Sequence, residues 1–291
     1  MNTINKSAIA LAITASFITT IKVYADEPDI KVDDLEVIVV SGSRTEKPLK
    51  DVAGSISVVT AEDIEKNAAS DMNQLFKYDP SVYVTGSTGG AQNIIVRGMG
   101  GDRILMIKDG MRMNEGYGAD GANNFVGRGF VETDTLKQVE VAKGAASSLY
   151  GSDALGGIVV FTTKDASDLL VEGENFAGNV KLGYTDDGKQ SNIGTTLALK
   201  TGEFEQLLNL TYRDGDEQQN YDETNNPFDI TSKSALYKAK YNIDDDNFIS
   251  FLADYWQQDT KGESATGLLS AFRTLADFGY IIADENSSGD K

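Results

Sequence analysis

The side-chain inventory limits the chemistry first. The 291 residues contain no histidine and no cysteine. That removes the commonest general base and metal ligand, together with thiolate nucleophiles and disulfides. Two glycine-rich loops invite a nucleotide reading and fail it. Gly98-Met99-Gly100-Gly101 follows a strand-like run, but Ile104 to Ile107 after it is again strand-like, where a dinucleotide loop needs a helix. Gly144 to Gly151 lacks the Gly-Lys-Ser/Thr ending of a phosphate loop. The acidic stretch from Asp214-Gly215-Asp216-Glu217 through Asp222-Glu223 offers carboxylates that suit calcium, but the spacing matches no EF-hand and a charged surface loop is the simpler reading. No nucleophile or metal constellation stands out, so neither an enzyme nor a resident cofactor is expected. A formal charge of −19 argues against nucleic acid as a partner.

What remains is chemistry done by backbone and surfaces. Leu35-Glu36-Val37-Ile38-Val39-Val40-Ser41-Gly42 is a short β-branched run with no local neighbour to pair with. It is either the first strand of a domain or a strand offered to another protein by β-augmentation. Ahead of it, Asp26 to Asp34 is polar, acidic and aperiodic, the composition of a tether. Before that, Lys6, the apolar stretch from Ala8 to Ile21 and Val23-Tyr24-Ala25 have the layout of a secretory signal peptide, with an uncleaved anchor or buried helix as the alternative. No later segment has 18 consecutive apolar residues, so any later membrane crossing must be made by strands.

The elements fall into two textures. From Ser55 to about Lys164 the pattern is mixed. Ser55 to Thr60 reads as a strand. Thr60 caps a helix with Asp63 three residues on and Ile64, Met72, Leu75 and Phe76 as its apolar face, stopped by Asp79-Pro80. Further strands are expected at Asn93 to Arg97, Arg103 to Ile107, Lys137 to Val141 and Gly157 to Thr162. This is an α+β domain of ordinary size. After Lys164, five segments alternate apolar and polar residues: 176–185, 193–200, 208–213, 235–241 and 249–256. The same alternation fits a transmembrane barrel and a soluble antiparallel sandwich. Short turns at Gly202-Glu203 and Asp244-Asp245-Asp246, against long ones at Asp214 to Ser232 and after Thr260, favour the barrel. Tyr184, Tyr212, Tyr241 and Tyr255 sit near the expected strand ends, where an aromatic girdle would lie.

In this order of parts the chain resembles the TonB-dependent outer-membrane receptors. Glu36 to Gly42 resembles the TonB box, and Gly42-Ser43-Arg44 the usual entry to the plug. Asn93 to Gly101 resembles the plug's "IRG" segment. Arg103 to Gly110 resembles the strand that follows and its Asp-Gly turn. The run from Leu136 to Val159 resembles the long plug signature almost position for position, with Ala145 where the family commonly has Pro. The stretches Gly100-Gly101-Asp102-Arg103, Asn114-Glu115-Gly116-Tyr117-Gly118 and Gly127-Arg128-Gly129-Phe130 look most like the haemoglobin and haem receptor branch.

The resemblance implies an α+β plug domain followed by an incomplete transmembrane antiparallel β-barrel. Residues 1–25 would be the signal peptide, 26–44 the periplasmic tether with the TonB box, 45–164 the plug and 165–291 the first strands of the barrel. It implies energy-coupled uptake of an iron source across the outer membrane of a Gram-negative bacterium. Haem or haem from haemoglobin is favoured, with a ferric siderophore as the alternative. A soluble β-rich periplasmic or secreted binding protein is the reading from a different class. TonB would bind Glu36, Val37, Ile38, Val39, Val40 and Ser41. Arg97 and Glu140 would hold the plug to the inner wall of the barrel, with solvated surface charge as the alternative. Asn114, Tyr117, Phe125 and Arg128 would face outward and touch ligand, with a plain loop as the alternative, and Tyr117 could ligate haem iron. Gly98, Gly144, Gly151, Gly156 and Gly157 would serve backbone geometry. Barrels of this class have about 22 strands, so five segments are too few to close one, and this chain alone is expected not to transport.

Overall fold

Thr60 does what its position asks of it. In the computed structural model, which describes residues 38–39, 47–49, 54–85, 92–113, 131–146, 150–151, 153–186, 188–216, 229–244 and 247–261, strand β3 (Ile56–Thr60) runs directly into helix α1 (Ala61–Lys66). Asp63 N donates to Thr60 Oγ1 at 3.2 Å and Thr60 N donates to Asp63 Oδ2 at 3.0 Å, a reciprocal capping box. The single helix expected from Thr60 to Asp79 is instead broken in two. Ala68 adopts φ 47°, Ala69 N donates to Ile64 O and Ala68 N to Glu65 O. These are the two bonds of a Schellman stop. Asp71 then caps a second short helix, α2 (Met72–Leu75), accepting from Gln74 N at 2.9 Å. Ile64, Met72, Leu75 and Phe76 still share one buried cluster.

The sheet that this pair covers has the order β3-β8-β9-β6-β7. Its further members are β6 (Ile104–Lys108), β7 (Met111–Arg112), β8 (Leu136–Lys143) and β9 (Gly157–Thr163). Strands β6 and β9 pair in parallel and the other neighbours antiparallel. Both faces are buried. Met106, Val139, Val141, Val159 and Phe161 pack toward the helices, and Leu105, Ile107, Ile158 and Val160 pack on the other side with Ala154. Gly157 is needed at its position, because a Cβ there would sit 2.8 Å from the carbonyl oxygen of Ala142.

A separate hairpin joins β4 (Val82–Thr85) to β5 (Asn93–Val96). Its "IRG" end is a second, tighter hairpin. Val96 and Met99 exchange both backbone hydrogen bonds, and Arg97 (φ 49°) and Gly98 (φ 79°) form the two-residue turn. Asp109 (φ 46°) and Gly110 (φ 81°) do the same between β6 and β7. Two consecutive positive φ values are the type I′ geometry that matches strand twist.

The second sheet is a meander of β10 (Phe176–Thr185), β11 (Gln190–Thr201), β12 (Phe204–Asp216), β13 (Asp229–Asn242) and β14 (Phe248–Lys261), each antiparallel to the next. All five expected segments lie inside these strands. The strands run further than the sequence pattern indicated. Asp214, Gly215 and Asp216 pair with Thr231, Ile230 and Asp229, so both ends of the expected long loop are strand. Pairing is made by the main chain, which continues where the apolar alternation has faded. For the same reason Tyr255 lies in mid-strand and not at an end. The alternation is turned outward. Leu182 on one face is 74% exposed, and Asn209 on the other is 2% exposed. Tyr184, Tyr212, Tyr241 and Tyr255 are exposed on the apolar face. A soluble sandwich would bury that face. No described helix is long and apolar enough to cross a membrane.

Candidate functional site

The polar face of the strand wall meets the plug, and the contact is electrostatic. Glu132 and the 3₁₀ turn Thr133–Thr135 carry two carboxylates into the interface just before β8. Glu132 and Asp134 are almost fully buried. Arg213, an inward position of β12, answers them. Its Nε donates to Glu132 Oε2 at 3.0 Å and its second fork nitrogen bonds Glu132 Oε1, a bidentate pair. The same nitrogen reaches Asp134 Oδ2 at 3.0 Å and Thr133 Oγ1 at 3.4 Å. Lys181 of β10 pairs with the other oxygen of Asp134. Between these two strands, β11 presents Gly194, and a Cβ there would lie 3.5 Å from Asp134 Oδ2. Beside this cluster is a cavity of about 430 Å³ lined in part by Thr133, Asp134, Lys164, Lys181, Thr196 and Asn209.

A second set of contacts sits at the Lys108-Asp109-Gly110 turn. Asp109 accepts from Thr163 N at 2.9 Å and from Thr163 Oγ1 at 2.8 Å, tying the turn to the end of β9. Lys238 of β13 donates to Thr163 O and to Asp165 Oδ1, both at 3.1 Å, and lies 3.5 Å from Asp109 Oδ1. Lys108 pairs with Asp254 of β14. Apart from that last pair, the plug supplies carboxylates and the wall supplies cations. Part of the chain's acidity is therefore used in docking.

Within the plug, Asp79 and Lys143 form a buried pair at 2.8 Å, and Lys143 Nζ also donates to Ser81 Oγ at 3.2 Å. Burial raises the Asp79 pKa, but hydrogen bonds from Lys143, Ser57 and Ser81 and the charge of Lys143 outweigh it, leaving the carboxyl at about 2.

The residues singled out in the sequence are placed unevenly. Arg97 is exposed at its hairpin turn and donates within the plug, to Ser55 Oγ at 2.8 Å and to Lys143 O at 3.3 Å. Glu140 is fully buried on β8 and accepts from Gln138 Nε2 at 2.9 Å. Ile38 and Val39 form a short strand, β1, paired with Lys47 and Pro48 (β2), and Val39 is fully buried. Glu36, Val37, Val40 and Ser41 lie outside the described residues, as do Asn114, Tyr117, Phe125 and Arg128. Sequence reasoning missed Glu132, Asp134, Arg213, Lys181 and Lys238. The available signal was a set of cations at polar-face positions of alternating strands. Asp214 and Asp216 of the acidic stretch lie on β12, and among the described residues no group of three or more acidic side chains could hold a metal.

Comparison with known proteins agrees with this geometry. A family model, TonB-dependent Receptor Plug Domain, matches residues 48–158. A relative from Haemophilus influenzae, described as a probable hemoglobin and hemoglobin-haptoglobin-binding protein 3, is 31% identical over 87% of this chain and 26% of its own length. The chain thus spans about a quarter of that relative. Among solved structures, the FrpB iron transporter from Neisseria meningitidis superposes with a TM-score of 0.60 at 24% identity, over 72% of this chain and 33% of its own. The pyoverdine outer membrane receptor FpvA from Pseudomonas aeruginosa gives 0.61 at 18% identity, over 77% and 30%. This chain carries the plug domain of the TonB-dependent receptors, followed by antiparallel strands that resemble part of their barrel.

Proposed function

We propose that this chain serves TonB-dependent uptake of an iron source across the outer membrane, with haem or haem released from haemoglobin as the cargo. The observation that carries the reading is the likeness to a haemoglobin-binding relative along 87% of the chain, plug and strands together. The outward apolar face of the wall supports an outer-membrane location. A ferric siderophore is the competing cargo. Deleting this gene from a haem-using parent is expected to abolish growth on haemoglobin as sole iron source, as deleting TonB should. A defect on a ferric siderophore alone would move the cargo, and undisturbed growth on both would overturn the reading.

Glu36, Val37, Ile38, Val39, Val40 and Ser41 are the proposed TonB-binding strand. Backbone pairing would supply most of the affinity. Val39 is buried in the β1–β2 pair, so TonB would have to exchange for that pairing. Val39→Pro removes a backbone donor and is expected to abolish uptake while leaving ligand binding at the cell surface intact; Val39→Ala should be milder. Normal uptake by the proline variant would remove these residues from the box. Asn114, Tyr117, Phe125 and Arg128 are the proposed ligand contacts. Arg97 and Glu140 are proposed to help hold the plug to the inner wall of the barrel.

A further inference from the structure

Among the described residues, the apolar rows of the wall's outward face contain one cation. Lys181, Lys200, Arg213, Lys238 and Lys240 stand at inward positions of their alternating strands. Lys233, between buried Ser232 and Ser234, is exposed on the outward face. No described carboxylate pairs with it. Tyr212 lies directly across from it on β12 and Gln257 on β14. The next outward row toward the short turns holds Thr195, Leu210, Ala235 and Tyr255. The next row toward the long connection holds Ser191, Asp214, Thr231 and Asp259, and there the apolar face ends. Tyr241, at the short-turn edge of the face, is eight residues further along β13. At ordinary strand rise and barrel tilt that is about 20 Å along the membrane normal. An outer-membrane apolar band is about 25 Å tall, with its short turns on the periplasmic side. Lys233 therefore lies at the level of the outer-leaflet headgroups.

We propose that Lys233, with the hydroxyl of Tyr212, binds the phosphate of an outer-leaflet lipid whose chains lie along Ile193 and Leu210. An ammonium facing hydrocarbon is costly, and the cost falls toward the headgroups. An ionised phosphate there meets ammonium and phenol donors with acceptor oxygens, a charge-assisted match. Asp214 and Asp259, one row further out, repel a free anion arriving from water. A phosphate fixed to acyl chains arrives from the membrane side, where Ile193 and Leu210 are exposed to receive the chains. The occupant is therefore a lipid and not free phosphate. The proposal rests on the outer-membrane location proposed above and uses nothing about the cargo.

The test is native mass spectrometry of the whole protein, purified in detergent and titrated with lipid A, a phosphorylated glycolipid. Lys233→Gln is expected to weaken binding about tenfold, and Lys233→Arg to keep it near the wild-type level. Tyr212→Phe, which deletes only the phenol donor, should weaken it about threefold. Lipid A stripped of its phosphates should bind the wild type about as weakly as the intact lipid binds Lys233→Gln. Wild-type affinity in Lys233→Gln, or equal binding of the two lipids by the wild type, overturns the site. Wild-type affinity in Tyr212→Phe strikes the phenol from it. Displacement of lipid A by millimolar inorganic phosphate overturns the lipid as occupant. Should Lys233→Gln fail to accumulate, the two lipids on the wild type decide alone. Fractionation and growth on haemoglobin separate the readings. Protein missing from the outer-membrane fraction sinks the location on which the site rests. Protein found there with phosphate-independent binding sinks the site alone. Phosphate-dependent binding without growth on haemoglobin sinks the cargo and leaves the site standing.

Discussion

The plug sheet and the wall sheet are both five-stranded, and they are built inside out relative to each other. In the plug, β9 buries nearly every side chain on both faces, and its sequence is an apolar run from Gly157 to Phe161, while its neighbour β8 buries Leu136, Val139, Glu140 and Val141. In the wall, each strand alternates, and the apolar half of the alternation is the exposed half. The plug gains stability by taking apolar area out of water. The wall's apolar face gains nothing that way unless another apolar phase covers it. What buries the wall's inner face is a polar, acidic domain, matched by Arg213, Lys181 and Lys238. The same period-two pattern thus carries opposite instructions, and the partner of each face decides which one is read.

This contrast can be broken from either side. Phe161 is fully buried at the plug centre. Phe161→Ala should destabilise the plug by about 3–5 kcal/mol, read as faster hydrogen exchange across β8 and β9. Leu210 is 47% exposed at the middle of β12. On a water-facing surface a substitution there would matter by about 0.5 kcal/mol or less. Facing lipid, Leu210→Arg should cost about 2–4 kcal/mol and lower the yield of folded protein in the membrane.

The plug's own charge chemistry gives a smaller effect with a defined sign. Asp79 is held at about 2 against an ordinary value of 3.8. A depressed carboxyl stabilises the fold above its unfolded value and loses that contribution as pH falls through the folded one. The hydrogen bonds from Lys143, Ser57 and Ser81 together with the charge of Lys143 should therefore make ionised Asp79 worth about 2 kcal/mol at neutral pH, lost between roughly pH 4 and pH 2. Asp79→Asn should flatten that part of the acid stability curve measured by circular dichroism. Smallest is the cap: Thr60→Ala should cost about 1 kcal/mol, seen as a lower denaturant midpoint with unchanged cooperativity.

Much of this fold was legible because it is local. The capping box at Thr60 and Asp63, the Asp109-Gly110 turn and the five alternating segments each announce themselves within a few residues. The break at Ala68 did not, because alanine rarely takes a positive φ and its presence in a helical pattern argues for continuation. The ends of β12 and β13 were hidden because main-chain pairing needs no apolar side chains. The docking charges were hidden for a different reason. Arg213 and Glu132 are 81 residues apart in the chain, and nothing near either names the other. Arg97 and Glu140 drew attention through resemblance; of the plug residues paired at the wall, Lys108 and Asp109 also lie in a resembling segment, whereas Glu132 and Asp134 do not.

The most direct test of the inverted wall is a cysteine scan along β12, to which these 291 residues contribute no other cysteine. Single cysteines at Leu208, Asn209, Leu210, Thr211 and Tyr212 would carry a fluorophore in outer membranes containing a lipid-phase quencher. Quenching should alternate, strong at 208, 210 and 212 and weak at 209 and 211. Water-accessible labels at 208, 210 and 212, or quenching with no alternation, would contradict a wall that faces lipid with its apolar side and the plug with its polar one.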